Sequence, residues 1–450
     1  MRHDFTLLFA GYLVCTVIIA LYASRKLRNL EDFLVAGRKL NLPLTSASLM
    51  ATWTGAAAIT GYAGWIYEAG YSMLWIAVAT TTSLLLIALV LSRRLQRLGV
   101  LTVPDILKNT YDERTKNVGA VIIAVYCIGI VSGELLGGAY VMSAVLEWDF
   151  SDALMLTSGI VIGYCLLGGL WAVVTTDVVQ FFLLGSGLAL AVPLTLRKMG
   201  GWTLLHESVL TADYHHLDVL GYVSADVIIA WFIIIFASNF IAPDIYQRMY
   251  AAKTERTARL AMSITGLWDV FLTMAAIVLG LSAFVYFQGS IEPDLALPQL
   301  LVDLFPGITG SFLIVTLLAV IMSTADSLLV VAGGTLCHDV CGFDQKSALK
   351  WVRGFTLLCG MISLGLCFYF ESIMDSILFS SSVYAAGLFI PVISVFVGKK
   401  GTKDAAFYSC LGGGGLTIVW RILGWTPDPV LPGILLCLAL FVGISKWQTT

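Results

Sequence analysis

The sequence predicts an all-α polytopic membrane protein of about thirteen transmembrane helices, and three observations predict it. The 450-residue chain is 58% hydrophobic and only 12% charged, about half the roughly 25% charge of a soluble domain. Its mean hydropathy is +0.89. Apolar runs of about 20 residues, the length that crosses a bilayer core, recur from end to end. Too few charges remain to coat a soluble fold of this size. A formal charge of -3 and a pI near 6.0 leave no basic footprint for nucleic acid.

Taken in order, the spans begin near residues 5, 42, 72, 118, 151, 172, 222, 259, 309, 352, 375, 403 and 429. The first, over 5–25, is too long for the apolar core of a cleaved leader, and its basic cluster follows it. Two connections, 199–221 and 289–308, are long enough to hold structure, and Pro293, Pro298 and Pro306 suggest a short helix in the second. No Ser- or Pro-rich linker divides the chain, which therefore reads as one transmembrane domain over 1–450, without a fused signalling module after Lys446. Seven of the nine cysteines lie in apolar runs as small hydrophobes. Cys337-His338-Cys341 lacks a second ligand pair and reads as a chance cluster rather than a metal site. His215-His216, in a connection, reads as solvated surface.

Basic residues orient the array. Alternate connections carry Arg25, Lys26, Arg28, Arg38 and Lys39, then Arg93 to Lys116, then Arg248 to Arg259, then Lys346, Lys350 and Arg353, then Lys399, Lys400 and Lys403. Together these are 21 of the 26 Lys and Arg. The opposite side keeps Arg2, Arg197, Lys198 and Arg421. The expected arrangement is a multi-pass protein of the cell membrane, N-terminus outside and C-terminus inside.

Charge at mid-membrane costs about 2.5–3.5 kcal/mol on insertion scales, so each instance needs a reason. Glu134, Asp177, Asp269 and Asp326 sit well inside apolar segments, and no Lys or Arg falls at comparable depth in the sequence. Their expected partners are protons, metal ions or a cationic ligand. Ser323, Asp326 and Ser327 share one helix face at i, i+3 and i+4, with Thr324 beside it. Thr175-Thr176-Asp177 with Gln180 is a second candidate, and together the two helices would enclose a monovalent cation. The alternative is that the hydroxyls bond back along their own helix and the acids stay protonated. Met50 to Gly61 is rich in glycine, alanine and threonine, as an unwound, cavity-lining segment would be, or a small-residue packing face.

Together these segments resemble the sodium:solute symporter family. Glu31-Asp32-Phe33-Leu34-Val35-Ala36-Gly37-Arg38 is similar to its signature in the first cytoplasmic loop, and Met50 to Gly61 to its broken first core helix. Gly168-Gly169-Leu170-Trp171-Ala172-Val173 through Thr176-Asp177-Val178-Val179-Gln180, Pro243-Asp244-Ile245-Tyr246-Gln247-Arg248 and Met322-Ser323-Thr324-Ala325-Asp326-Ser327 match later core helices in family order. The resemblance implies a LeuT-like core of two five-helix inverted repeats, 42–198 and 222–397. A leading helix (5–25) and two trailing helices (403–445) would flank it. It implies alternating access coupled to sodium. The main sodium site would use carbonyls of Ala51, Thr54 and Val320 with hydroxyls of Ser323 and Thr324. Asp177, Ser323, Asp326 and Ser327 match a second sodium site found in part of the family.

Substrate residues follow less directly. Ala-Thr-Trp-x-Gly followed by Ser-x-Ala-Asp-Ser is closest to a choline-transporter-like branch, yet Ile130 and Ala242 stand where that branch has cage tryptophans. Proline-transporter-like sequences carry an acid where this chain has Trp53. The expected solute contacts are Trp53, Gly55, Glu134, Ser238 and Asn239, for a small organic solute, with an amine among the options. Glu134 would bind that amine or act as a protonated structural acid, and Asp269 has no role from the resemblance. Proton-coupled transport is the alternative function, followed by a symporter-fold solute sensor. No enzyme is expected, since no nucleophile–base pair or metal-ligand set stands out among the five histidines.

Overall fold

The computed structural model describes residues 1–25, 30–166, 169–343, 345–399 and 401–449. Lys26, Arg28, Gly168, Lys400 and the side chain of Lys346, all used above, lie outside the described residues. Each expected span coincides with helix. In chain order these are α1 (Arg2–Ser24), α2 (Leu42–Trp53) with α3 (Tyr62–Ala69), α4 (Leu74–Leu86), α5 (Glu113–Leu146), α6 (Phe150–Cys165) and α7 (Leu170–Lys198). Then come α8 (Ala225–Phe240) with α9 (Pro243–Ala251), α10 (Glu255–Phe287), the short α11 (Pro293–Leu304), α12 (Ile308–Thr335), α13 (Gln345–Leu366), α14 (Ile373–Val397), α15 (Lys403–Ile422) and α16 (Val430–Thr449). Among the described residues nine stretches are each long and apolar enough to cross a bilayer alone. Others fall short for visible reasons: α2 stops at a break, and α6 has only 16 residues.

Polar residues at the spans' edges start the helices. Asn41 accepts from Leu44 N–H ahead of α2, Asp112 from Thr115 N–H ahead of α5, Thr254 from Thr257 N–H ahead of α10 and Ser372 from Asp375 N–H ahead of α14. Each satisfies a donor that the helix itself leaves open. The longest spans end on a left-handed residue, Glu147 after α5 and Gln288 after α10.

Two helices are interrupted. Between α2 and α3 the chain leaves helical geometry at Thr54 (φ -92°, ψ 82°) and resumes as a π-turn over Ala57–Gly61. Between α8 and α9 it breaks at Ile241 and Ala242, where Pro243 opens the next helix and cannot donate back. The freed Ile241 carbonyl accepts from the Tyr384 hydroxyl at 2.7 Å, and the Phe240 carbonyl from Tyr246 at 2.9 Å. Among the described residues the sole strand-like pairing is a parallel bridge of Leu40 with Ala252. Leu40 N–H donates to the Ala251 carbonyl at 3.0 Å and Lys253 N–H to the Leu40 carbonyl at 2.8 Å. It ties the start of α2 to the end of α9.

Both long connections carry helix, Trp202–Ala212 in the first and α11 in the second. His216 corrects the solvated-surface expectation. It is buried, stacked on Phe284 at 3.8 Å between ring centroids, with Nε2 at 3.2 Å from the Tyr67 carbonyl. The first connection folds onto the bundle, and this is what hides the ring.

Candidate functional site

The two breaks face a cavity of about 150 Å³ in the middle of the bundle. Half-helix ends explain why a site forms here: an interrupted helix exposes carbonyls at one lip and N–H groups at the other. Polar side chains from neighbouring helices take up two of them at the first break, and a third reaches a hydroxyl there. Thr324 on α12 donates to the Thr52 carbonyl at 2.9 Å. Glu134 on α5 accepts from Ala56 N–H at 2.7 Å, on the outgoing half-helix. Trp268 on α10 donates its indole N–H to the Thr54 hydroxyl at 3.0 Å. Gly55 sits between them so tightly that a Cβ there would lie 2.9 Å from the Thr324 hydroxyl and closer still to Glu134.

Beside the break lies a buried polar cluster. Asp177 accepts from Ser323 at 2.6 Å on one oxygen and from Ser48 at 2.5 Å on the other. Ser327 donates to the Ser323 carbonyl at 2.8 Å, pairs with the Thr52 hydroxyl at 3.0 Å and lies 3.3 Å from Asp326. Of the four expected residues, Asp177 and Ser323 are hydrogen-bonded to each other, while Asp326 bonds to its chain neighbour Ser327. Thr175 and Thr176 instead bond back along α7, and Gln180 donates to Tyr12 of α1 at 2.9 Å, away from the cluster.

One expectation is overturned. Arg248, in the last turn of α9, is 0% exposed. It donates to Ser327 at 2.6 Å, Ser48 at 2.8 Å and Asp177 at 3.2 Å. A basic residue does reach the depth of the acids. The break before Pro243 turns α9 into the bundle, so a residue that the sequence assigns to a basic connection becomes the counter-ion of Asp177.

The expected solute contacts divide. Trp53, Gly55, Glu134 and Asn239 line the cavity. Ser238 does not: its hydroxyl donates to the Ile235 carbonyl of its own helix at 3.3 Å. Trp53 is fixed by its indole N–H, which donates to Asp269 at 2.9 Å, while Thr81 donates to the other oxygen of Asp269 at 2.5 Å. Asp269 thus has a definite place, holding the tryptophan at the break. Asp244, on the first turn of α9, also lines the cavity and was not anticipated as a site residue. Its one signal in the sequence is the Pro243-Asp244 pair directly after an apolar run. Chemically, the α2–α12 contact offers hydroxyl and carbonyl oxygens suited to a hard monovalent cation.

A model of the sodium:solute symporter family matches residues 33–413. The chain belongs to that family. The high-affinity proline transporter PutP of Bacillus subtilis (strain 168) is 25% identical over 433 residues, covering 91% of this chain and 90% of the relative. The sodium/proline symporter of Salmonella typhimurium (strain LT2) is 23% identical, covering 95% and 90%. Family and relatives are transporters, not enzymes. Because these relatives are proline transporters, the expected choline-transporter-like placement is not supported. Among solved structures, a Na+-coupled sialic acid symporter in its substrate-bound outward-open state superposes with a TM-score of 0.84 at 16% identity, covering 99% of this chain and 98% of that one. Mhp1, a nucleobase-cation-symport-1 family transporter, superposes at 0.62 and 14% identity, covering 92% and 94%. The family member described here thus has the LeuT-like fold at identities too low to carry substrate.

Proposed function

We propose that this chain is a sodium-coupled symporter that imports a small organic solute by alternating access. The observation that carries the reading is the contact between the end of α2 and α12, where Thr324 reaches across to the Thr52 carbonyl instead of bonding within its own helix. Carbonyls of Ala51, Thr54 and Val320 with hydroxyls of Ser323 and Thr324 form the main sodium site. Asp177, Ser323, Asp326 and Ser327 form a second one, which gains its ion only where Arg248 releases Asp177 and Ser327. The cavity between the breaks takes the solute. The two inverted repeats span 42–198 and 222–397, with 5–25 leading and 403–445 trailing. The protein lies in the cell membrane with its N-terminus outside and C-terminus inside, a reading supported by the one-sided Lys and Arg.

The test is uptake into proteoliposomes across a panel of amines, amino acids, carboxylates and sugars, L-proline included. Transport is expected with a sodium gradient and not when potassium replaces sodium. Uptake that follows a pH gradient equally well without sodium would favour proton coupling instead. Thr324→Ala removes one oxygen from a charged ligand and is expected to raise the sodium concentration for half-maximal uptake about tenfold or more.

A further inference from the structure

Resting on the transport reading above, we propose that the solute is a small protonated amine with N–H donors and no carboxylate, held between Asp244 and Glu134. Three carboxylates, Glu134, Asp244 and Asp269, line the central cavity, and no Lys, Arg or His is among its described lining residues. Two of them already have protein donors. Glu134 accepts from Ala56 N–H, and Asp269 from Trp53 and Thr81. Asp244 differs. It is 7% exposed, and its Oδ1 is buried with no hydrogen-bond partner. Arg248 reaches only its backbone carbonyl, at 3.3 Å, the rest of the guanidinium being engaged by Ser48, Asp177 and Ser327. Asp244 thus combines a place in the cavity lining with a buried carboxylate oxygen that has no donor, a demand that a ligand's N–H can meet.

Glu134 supplies an independent argument. The N-terminus of a half-helix at a membrane break is where a transporter ordinarily receives an anionic group of its substrate. Here the protein's own carboxylate occupies it, since Glu134 accepts from Ala56 at 2.7 Å. A carboxylate on the solute would find that donor already taken by Glu134. A protonated amine meets two acids instead. Trp53, its indole N–H committed to Asp269, offers the cavity only ring surface, which favours a cation. N–H donors are needed because carboxylate oxygens, not an aromatic cage, do the binding. The cavity, about 150 Å³, has room for a compact molecule.

The experiment uses purified full-length protein in lipid nanodiscs, read by thermal shift in sodium and in potassium. The probes are pyrrolidine, L-prolinamide, L-proline, N-acetyl-L-proline and choline. Pyrrolidine and L-prolinamide are expected to stabilise in sodium; the other three are not. Glu134→Gln and Asp244→Asn are each expected to weaken the apparent affinity for the cations about thirtyfold or more, while stabilisation by sodium alone persists. L-proline stabilising as well as L-prolinamide, a complete lack of sodium-dependent shift from the two cations, or unchanged cation affinity in both variants would each overturn the proposal. Sodium's own effect, measured without any probe, reports on the sodium-coupling reading separately. Its loss with the ligand ranking intact sinks coupling and not the substrate class.

Discussion

Arg248 shows how far a residue's environment can depart from its sequence neighbourhood. It has basic and polar company in the chain, yet its guanidinium is fully buried against Ser48, Asp177 and Ser327. Removing one member of such a pair strands the other charge, which is costlier than never having buried either. Arg248→Met is therefore expected to lower stability by about 3–5 kcal/mol, read as a drop in thermal unfolding temperature, and adding Asp177→Asn should recover part of it. An additive double variant would count against a direct pair. At this scale Asp177, Ser323 and Ser327 were legible because acids and hydroxyls at helical spacing in apolar runs have few other uses. Arg248 and Asp244 were not, because their depth is set by the chain's turn at Ala242, which local composition barely marks. Trp53 was legible as a site residue, but its partner Asp269 lies on another helix and only tertiary structure joins them.

At the scale of elements, the first break was readable in the glycine- and threonine-rich run around Gly55, while the second hides in an apolar helix that only Pro243 interrupts. The helix expected over 289–308 is present as α11, and its position explains its sequence. Tyr67 donates to the Ile291 carbonyl at 3.1 Å, and Asp294 accepts from Ile373 N–H at 2.9 Å, at the start of α14. Asp294 lies outside the spanning segments. Burial, with Glu292 and Glu68 nearby, pushes its carboxyl up to about 6, although the Ile373 bond pulls the other way. The unfolded chain titrates near 3.9, roughly the free aspartate value, so between these values the folded state holds the extra proton. Its stabilising contribution is full below the unfolded value and is lost as pH rises through about 6. The difference in unfolding temperature between wild type and Asp294→Asn should therefore shift against wild type as pH rises from the unfolded value through about 6 and level off above it. A difference that does not vary with pH would exclude this titration.

For the molecule as a whole, hydropathy placed a helix at each expected span, though among the described residues only nine are long and apolar enough to cross a bilayer alone. What hydropathy could not supply was how spans meet: the folded-in connection around His216 and the internal path of α9 both depend on contacts distant in sequence. Orientation has a direct test. Cys15 and Cys341 are the exposed cysteines, and Cys15 lies within the apolar α1 whereas Cys341 follows α12 in a connection. A membrane-impermeant maleimide should modify Cys341 in inside-out vesicles and leave it untouched in right-side-out ones; the reverse pattern would invert the topology. The short backbone bridge of Leu40 with Ala252 has a mechanical meaning. It joins the two half-helices α2 and α9 at the ends remote from the cavity, so separating them costs two backbone hydrogen bonds. The two half-helices then share their anchors as well: Arg248 from α9 and Ser48 from α2 both end on Asp177, and Thr52 from α2 meets Ser327, which Arg248 also holds.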